Sequence, residues 1–364
     1  MKKILMILIS ITLLFASGCA ELEEAGELAS TNVPAANQVV EEDENNAEAA
    51  EEPDNEPEPI VEDEPTENNV IAEDDITVVE AFVERDMENT IRLATTCVKL
   101  RLQSKSNNLG PILNLIDRAA LEAAPDIIVI SESIFTRMNP SGVRFAGIDG
   151  GGSEELGGPV FIAMQDKAKE HGMYIIFNIN APYEGPEVED RLFYNSNFLV
   201  SPEGEIVGRY DKNMLPPDEI NAGLTPSTER PVFDIEIRGH TITIGMPICY
   251  DLDRTAYGPD EERVTTTLVN NGAEIIFVPT IGDYTFEAVK DAIEYGVYFV
   301  VAGQDRYQND PYEASAIIDL EGKLLVKFTD RTGLPGQSYE QMQYRPGEDG
   351  SFGYVDVSKI KIAE

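Results

Sequence analysis

Between residues 20 and 75 the chain carries 21 acidic side chains and not one lysine or arginine. Repulsion along such a stretch overwhelms what its few apolar residues can offset, so it cannot close a core. Proline breaks it further, as in Glu51-Glu52-Pro53-Asp54-Asn55-Glu56-Pro57-Glu58-Pro59. Residues 19–75 are therefore expected to form a disordered, extended acidic linker. Folding is confined to 76–364, near the ~250–300 residues at which one core stops growing, and a single domain is the economical reading. The 21 linker charges belong to a formal net charge of −40. That balance excludes the basic face that nucleic-acid binding requires.

Ahead of the linker stand Lys2 and Lys3, then an apolar run over 4–15. The run falls short of the ~20 residues a spanning helix needs. A signal peptide over 1–18 is expected instead. It ends in Ala16-Ser17-Gly18-Cys19, which resembles a bacterial lipobox. The resemblance implies a lipid on Cys19 and an exported protein held at a bacterial membrane, on the cell surface or the periplasmic side. Each buried acyl CH₂ contributes ~0.8 kcal/mol to such an anchor. Plain cleavage near Gly18 is the alternative.

In the remaining chain, apolar runs of strand length alternate with helical periodicity. Residues 90–102 read as a strand. Residues 108–124 read as a helix with Ile112, Leu115, Ile116, Ala119, Ala120 and Ala123 on one face. A strand at 126–130, a helix at 159–171 closed by Gly172, and a strand at 174–180 follow. Turn signals join 193–200 to 205–210, and 232–237 to 241–248. Helices at 261–271 and 286–295 then alternate with strands at 274–278 and 297–302. A last pair is expected at 315–320 and 323–328. Mixed α/β architecture follows, compatible with two sheets packed face to face under outer helices.

Only two histidines, His171 and His240, and three cysteines, Cys19, Cys97 and Cys249, are present. That set furnishes no zinc cluster and no histidine-based triad, and neither metal nor organic cofactor is expected. The glycine-rich stretch 147–158 lacks the Gly-Lys-Ser/Thr ending of a phosphate loop and reads as a loop near a cleft. Three polar residues instead follow apolar strands directly: Glu132, Lys212 and Cys249. A thiol near pKa 8.5 is a poor nucleophile until something deprotonates it. A carboxylate can take that proton and return it to a departing amine. An ammonium can stabilise the oxyanion, where one donor is typically worth ~2.7–4 kcal/mol. Together they make an acyl-transfer set without histidine. Cys97, within the first strand, reads as core, and a Cys97–Cys249 disulfide would be the competing use of the thiol.

The sequences around these residues resemble those of the nitrilase, or carbon–nitrogen hydrolase, superfamily over residues 91–328. The blocks, in order, are Asp126-Ile127-Ile128-Val129-Ile130-Ser131-Glu132-Ser133, Gly208-Arg209-Tyr210-Asp211-Lys212-Asn213-Met214-Leu215 and Ile244-Gly245-Met246-Pro247-Ile248-Cys249-Tyr250-Asp251. Gly272-Ala273-Glu274-Ile275-Ile276-Phe277-Val278-Pro279 and Ser315-Ala316-Ile317-Ile318-Asp319 are also similar. The resemblance implies a four-layer α-β-β-α sandwich and a homodimer. It also implies Cys249 as nucleophile, Glu132 as base and then acid, and Lys212 as oxyanion stabiliser. The Tyr250 N–H would complete the oxyanion site, and Glu219 would support the lysine. Tyr250-Asp251 stands where true nitrilases carry Trp-Glu, so the expected substrate is a small-molecule amide or carbamoyl compound. Two departures bear on packing. Asp291 opens a helical segment in which the family often has Arg-Ala-Ile-Glu, and Asp253 stands four residues after Cys249 where an arginine is usual, with Arg254 next. Pro247-Ile248-Cys249-Tyr250 also looks like the soluble part of apolipoprotein N-acyltransferases, which makes acyl transfer an alternative. A non-catalytic surface binding protein on the same fold is the other.

Overall fold

Parallel pairing of short, wholly apolar strands organises both halves of the domain. Residues 85–99, 105–135, 152–183, 191–305, 315–328, 344–345 and 349–358 are described by a computed structural model. All of them fall after Thr77, where the chain divides into two units. The leader, Cys19, the linker and residues 147–151 of the glycine-rich loop lie outside the described residues.

In the first sheet β1 (Thr90–Lys99), β2 (Ile127–Val129) and β3 (Tyr174–Pro182) run parallel. β4 (Phe193–Val200) and β5 (Ile206–Asp211) extend it antiparallel beyond β3. Two helices cover its outer face, α1 (Lys105–Ala123) and α2 (Pro159–His171). Ile112, Leu115, Ile116 and Ala119 of α1 bury against Ile128, Ile130, Phe352 and Tyr354. Phe161 of α2 sets its ring edge-on to Phe177 and Phe198, with centroids 5.5 and 4.8 Å away. Full burial of one such side chain stabilises by about 1.5–3 kcal/mol. Gly172 closes α2 at φ 62°, a left-handed cap that glycine adopts without strain, and its N–H donates to Ala168 O.

The second sheet repeats the scheme. β6 (Phe233–Ile237) and β7 (His240–Gly245) form a hairpin, and β7, β8 (Ile275–Pro279) and β9 (Tyr298–Ala302) run parallel. Between them pass a short α3 (Pro217–Asn221), α4 (Val264–Asn270) and α5 (Thr285–Tyr295). β10 (Gln304–Asp305) crosses back to pair with β1. β11 (Ala316–Ile318) and β12 (Leu324–Lys327) complete the second sheet, while β13 (Tyr344–Arg345) and β14 (Gly350–Ser358) complete the first. Ile91, Leu93, Ile127, Ile176 and Leu199 of one sheet share a core with Ile235, Ile244, Phe277, Val300 and Ile317 of the other. Ala288, Val289 and Ala292 of α5 and Leu268 of α4 bury into the same core. The result is the expected mixed α/β fold of two sheets with helices outside.

Several boundaries differ from the sequence reading. α1 starts at Lys105, so Pro111 lies past its first turn and removes one helical hydrogen bond there. β7 stops at Gly245 rather than running to 248. Pro247 has no N–H to offer, and the Ile248 N–H is taken by the Asp251 carboxylate at 3.0 Å. α4 begins at Val264 rather than 261, because Arg263 turns its guanidinium onto Asp291. α3, β10, β13 and β14 had no counterpart in the expected elements. β14 is the largest of these, antiparallel to β1 from Ser358 opposite Thr90 to Gly350 opposite Val98.

Candidate active site

Three strands deliver the three expected residues from their carboxyl ends, where sheets of parallel strands open their clefts. Glu132 follows β2, Lys212 follows β5 and Cys249 follows β7. Glu132 is fully buried and Lys212 is 1% exposed. The ammonium of Lys212 donates to Glu132 Oε1 at 2.9 Å and to Glu219 Oε1 at 2.9 Å. Asn195 of β4 bridges the same two carboxylates, its Nδ2 lying 2.8 Å from Glu132 Oε1 and 3.1 Å from Glu219 Oε1. The other carboxylate oxygen, Glu132 Oε2, accepts the Ile281 N–H at 3.0 Å. A buried ion pair survives desolvation only with such additional hydrogen bonds.

The backbone around Glu132 is held on every side. Gln304 donates its side-chain N–H to the Glu132 carbonyl, and Ser131 donates its hydroxyl to the Gly303 carbonyl. Ser133 sits at φ 57° and gives its N–H to Asn178 Oδ1 at 2.8 Å. Asn108 of α1 reaches the Ile134 carbonyl at 2.8 Å. Lys212 is fixed in the same way, its N–H on the Asn195 carbonyl at 2.9 Å and its own carbonyl receiving the Ser227 N–H at 2.9 Å.

Cys249 opens a 3₁₀ turn, Cys249–Leu252, at φ 45°, a left-handed conformation that a non-glycine residue holds only under constraint. Tyr250 is the next residue of that turn. Asp251 supplies the constraint. Its Oδ1 accepts the N–H groups of Asn213 at 3.1 Å and Met214 at 2.7 Å. Its Oδ2 accepts Ile248 N–H at 3.0 Å and the Tyr210 hydroxyl at 2.8 Å. One carboxylate thus ties the cysteine turn to the loop that carries Lys212. Burial raises Asp251 to about 6, against the hydrogen bonds that pull it down.

The thiol meets the other groups at the end of β8. It lies by the Thr280 side chain and the Ile281 backbone, and the charges of Glu132 and Lys212 both act on it. Burial, then the Glu132 charge, push Cys249 up to about 11, opposed by Lys212. Burial sets the direction, and the charge count adds to it. With two carboxylates around one ammonium, a thiolate would add a second uncompensated negative charge. Moving the thiol proton onto Glu132 leaves the total unchanged. Both Cys249 and Cys97 are free, so the disulfide does not form, and Cys97 lies in the core between the sheets.

Sequence reading missed the asparagines and the Thr280–Ile281 turn. It also missed Tyr284, whose phenol is raised first by burial and then by the charges of Cys249 and Asp253. A signal was present for Asn178 and Asn180, which stand at alternate positions of an otherwise apolar strand, but not for Asn195, since Asn195-Ser196-Asn197 is polar throughout. The two departures meet in one ion-pair cluster, through Asp291 and the Arg254 that follows Asp253. Asp291 is fully buried, takes Arg263 through both carboxylate oxygens at 2.9 and 2.6 Å, and also pairs with Arg254. His171 Nε2 stands 2.7 Å from Asp117, between α1 and α2. Glu170 is near, but Lys167 contacts both carboxylates, at 2.6 and 2.7 Å, and makes the group an ion-pair cluster.

This fold, with a cysteine, a glutamate and a lysine at its strand ends, is that of a carbon–nitrogen hydrolase domain of the nitrilase superfamily. The carbon-nitrogen hydrolase family matches residues 92–334, and the chain belongs to it. Among solved structures it is similar to an amidase from Nesterenkonia sp.. That match has 19% identity and a TM-score of 0.52, covering 74% of this chain and 91% of that one. A cysteine-to-serine mutant of the Nesterenkonia AN1 amidase, described as from the nitrilase superfamily, is 18% identical. It covers 75% of this chain and 93% of that one at a TM-score of 0.52. A glutamate-to-glutamine mutant of that amidase, carrying the result of Michael addition of acrylamide at the active site cysteine, is 18% identical with a TM-score of 0.51. Its match covers 73% of this chain and 93% of that one. No curated protein matches the sequence.

Proposed function

We propose that the protein is an amidase that hydrolyses a non-peptide carbon–nitrogen bond through an acyl-enzyme on Cys249, and that it is exported and anchored to a bacterial membrane, on the cell surface or the periplasmic side, by a lipid on Cys19. The observation that carries the reading is the buried Glu132–Lys212–Glu219 cluster meeting the Cys249 thiol at the Thr280–Ile281 turn.

Glu132 takes the thiol proton as Sγ attacks the amide carbonyl. The carbonyl oxygen becomes an oxyanion, which Lys212 and the Tyr250 N–H stabilise. The tetrahedral intermediate collapses, the carbon–nitrogen bond breaks, and Glu132 returns its proton to the leaving amine. Water then gives a proton to Glu132 and attacks the thioester; collapse releases the carboxylic acid and restores the thiol. Lys212 keeps its charge throughout, held between Glu132 and Glu219. A positioned general base contributes about 10²–10⁴-fold.

The test is turnover of an amide library by membrane and soluble fractions of cells expressing the full chain. Wild-type activity is expected with the membranes, Cys19→Ala is expected to move it to the soluble fraction, and Cys249→Ala to abolish it. Full activity of Cys249→Ala would eliminate the mechanism.

A further inference from the structure

Four asparagines form a two-by-two block on one face of the first sheet. The register sets Asn178 opposite Asn197 and Asn180 opposite Asn195. Side chains two apart on a strand share a face, so all four belong to the face that carries Ile176 and Leu199 into the inter-sheet core. Three are hydrogen-bonded. Asn178 donates to Asn195 Oδ1 at 2.8 Å and to Asn197 Oδ1 at 2.9 Å. Asn197 donates to the Met246 carbonyl at 3.0 Å, and Asn195 holds the two glutamates. The fourth is different. Asn180 is 1% exposed, and among the described residues neither its Nδ2 nor its Oδ1 has a hydrogen-bond partner.

A buried amide with both ends unmet is rare in native proteins, because its desolvation is uncompensated. Asn180 is also well placed to meet a ligand. It is the cross-strand neighbour of Asn195, which touches Glu132, and it lies nearer than Asn178 to the carboxyl end of β3. Two further unmet buried atoms surround the same glutamate: Ser133 Oγ, on the adjacent residue, and Oε1 of Gln304, whose amide nitrogen holds the Glu132 carbonyl.

We propose that Asn180 recognises a second amide-like group on the substrate, a carboxamide or ureido group on the acyl side of the bond that is cut. The assignment rests on the amidase reading and adds the substrate class. A carboxamide side chain presents a donor and an acceptor in one plane, and only a partner with both satisfies it. A carboxylate would meet the donor alone and bring a third negative charge towards Glu132 and Glu219. An ammonium would meet the acceptor alone.

The test compares malonamide, succinamide and glutaramide with alkyl amides in which an isopropyl group replaces the second carboxamide. Sites built to hydrogen-bond a substrate group discriminate strongly against analogues lacking it. Wild-type kcat/KM is therefore expected to favour the best diamide over its isostere by about a hundredfold or more. Asn180→Leu is expected to bring that ratio towards unity, chiefly through KM for the diamide. It should also leave the melting temperature unchanged or raised, because an apolar side chain of similar size replaces an unmet amide. A structural asparagine would instead lower it. Amide turnover without preference for diamides, a ratio unaffected by Asn180→Leu, or a clear fall in melting temperature would overturn the assignment while leaving the amidase reading intact. If the wild type turns over no amide, that reading falls, and binding decides: a diamide that raises the melting temperature of the wild type but not of Asn180→Leu supports the assignment, and no shift in either overturns it.

Discussion

A thiol raised to about 11 keeps its proton at neutral pH in all but roughly one molecule in ten thousand, by one decade per pH unit. Its reactivity therefore has to come from proton transfer within the site. In the proposed mechanism Glu132 acts on the thiol in two opposing ways: its charge disfavours the thiolate, while its basicity accepts the proton. Glu132→Gln separates them. The Cys249 thiol of the variant is expected to titrate at lower pH than in the wild type, since Lys212 then acts with one opposing charge fewer. Amide turnover is expected to fall by about 10²–10⁴-fold. Alkylation rates across pH and steady-state kinetics read the two effects; a thiol that moves to higher pH would show that the Glu132 charge is not acting on it. At this scale the residues that gather at the candidate site were legible in the sequence, because Glu132 and Cys249 stand just past apolar runs and Lys212 just past the strand expected at 205–210. Asn195 was not, since an asparagine within a strand looks the same whether it joins two carboxylates or faces water.

Elements set how firmly those residues are held. The short turn from Cys249 is anchored to the Lys212 loop by Asp251, and α5 is anchored to the following segment by Asp291 with Arg254 and Arg263. Removing one partner of a buried pair leaves the rest uncompensated. Asp291→Ala is accordingly expected to cost about 3 kcal/mol, read as a lower denaturant midpoint. The partial exposure of Arg254 keeps the loss at the low end of the range. Helix α2 and the two early hairpins were readable from periodicity and turn residues. The ends of β7 and α4 were not: the Ile248 N–H is taken by the Asp251 carboxylate three residues on, inside the Cys249 turn, and Arg263 at the start of α4 is held by Asp291, far along the sequence.

For the whole molecule, the two sheets follow from alternating strand and helix signals, but their closure does not. β14 carries Phe352 and Tyr354 towards α1 and pairs along the length of β1, yet glycines at 350 and 353 interrupt its pattern and hide it. Gly353 is required there, since a side-chain carbon would come within 2.5 Å of Val326 in the opposite sheet. The crossing at Gly303 was equally invisible. β9 ends at Ala302 in one sheet, and Gln304 already pairs with Val98 in the other. Gln304 also grips the Glu132 carbonyl, and the Gly303 carbonyl takes the Ser131 hydroxyl. A single glycine thus works as a rivet through both halves of the sandwich, with Glu132, the proposed general base, fastened to its head. Prising the halves apart must dislodge the base in the same movement, so catalytic activity and tertiary structure should disappear at one denaturant midpoint. An enzyme that went silent well before its near-ultraviolet signal changed would show the rivet to be loose.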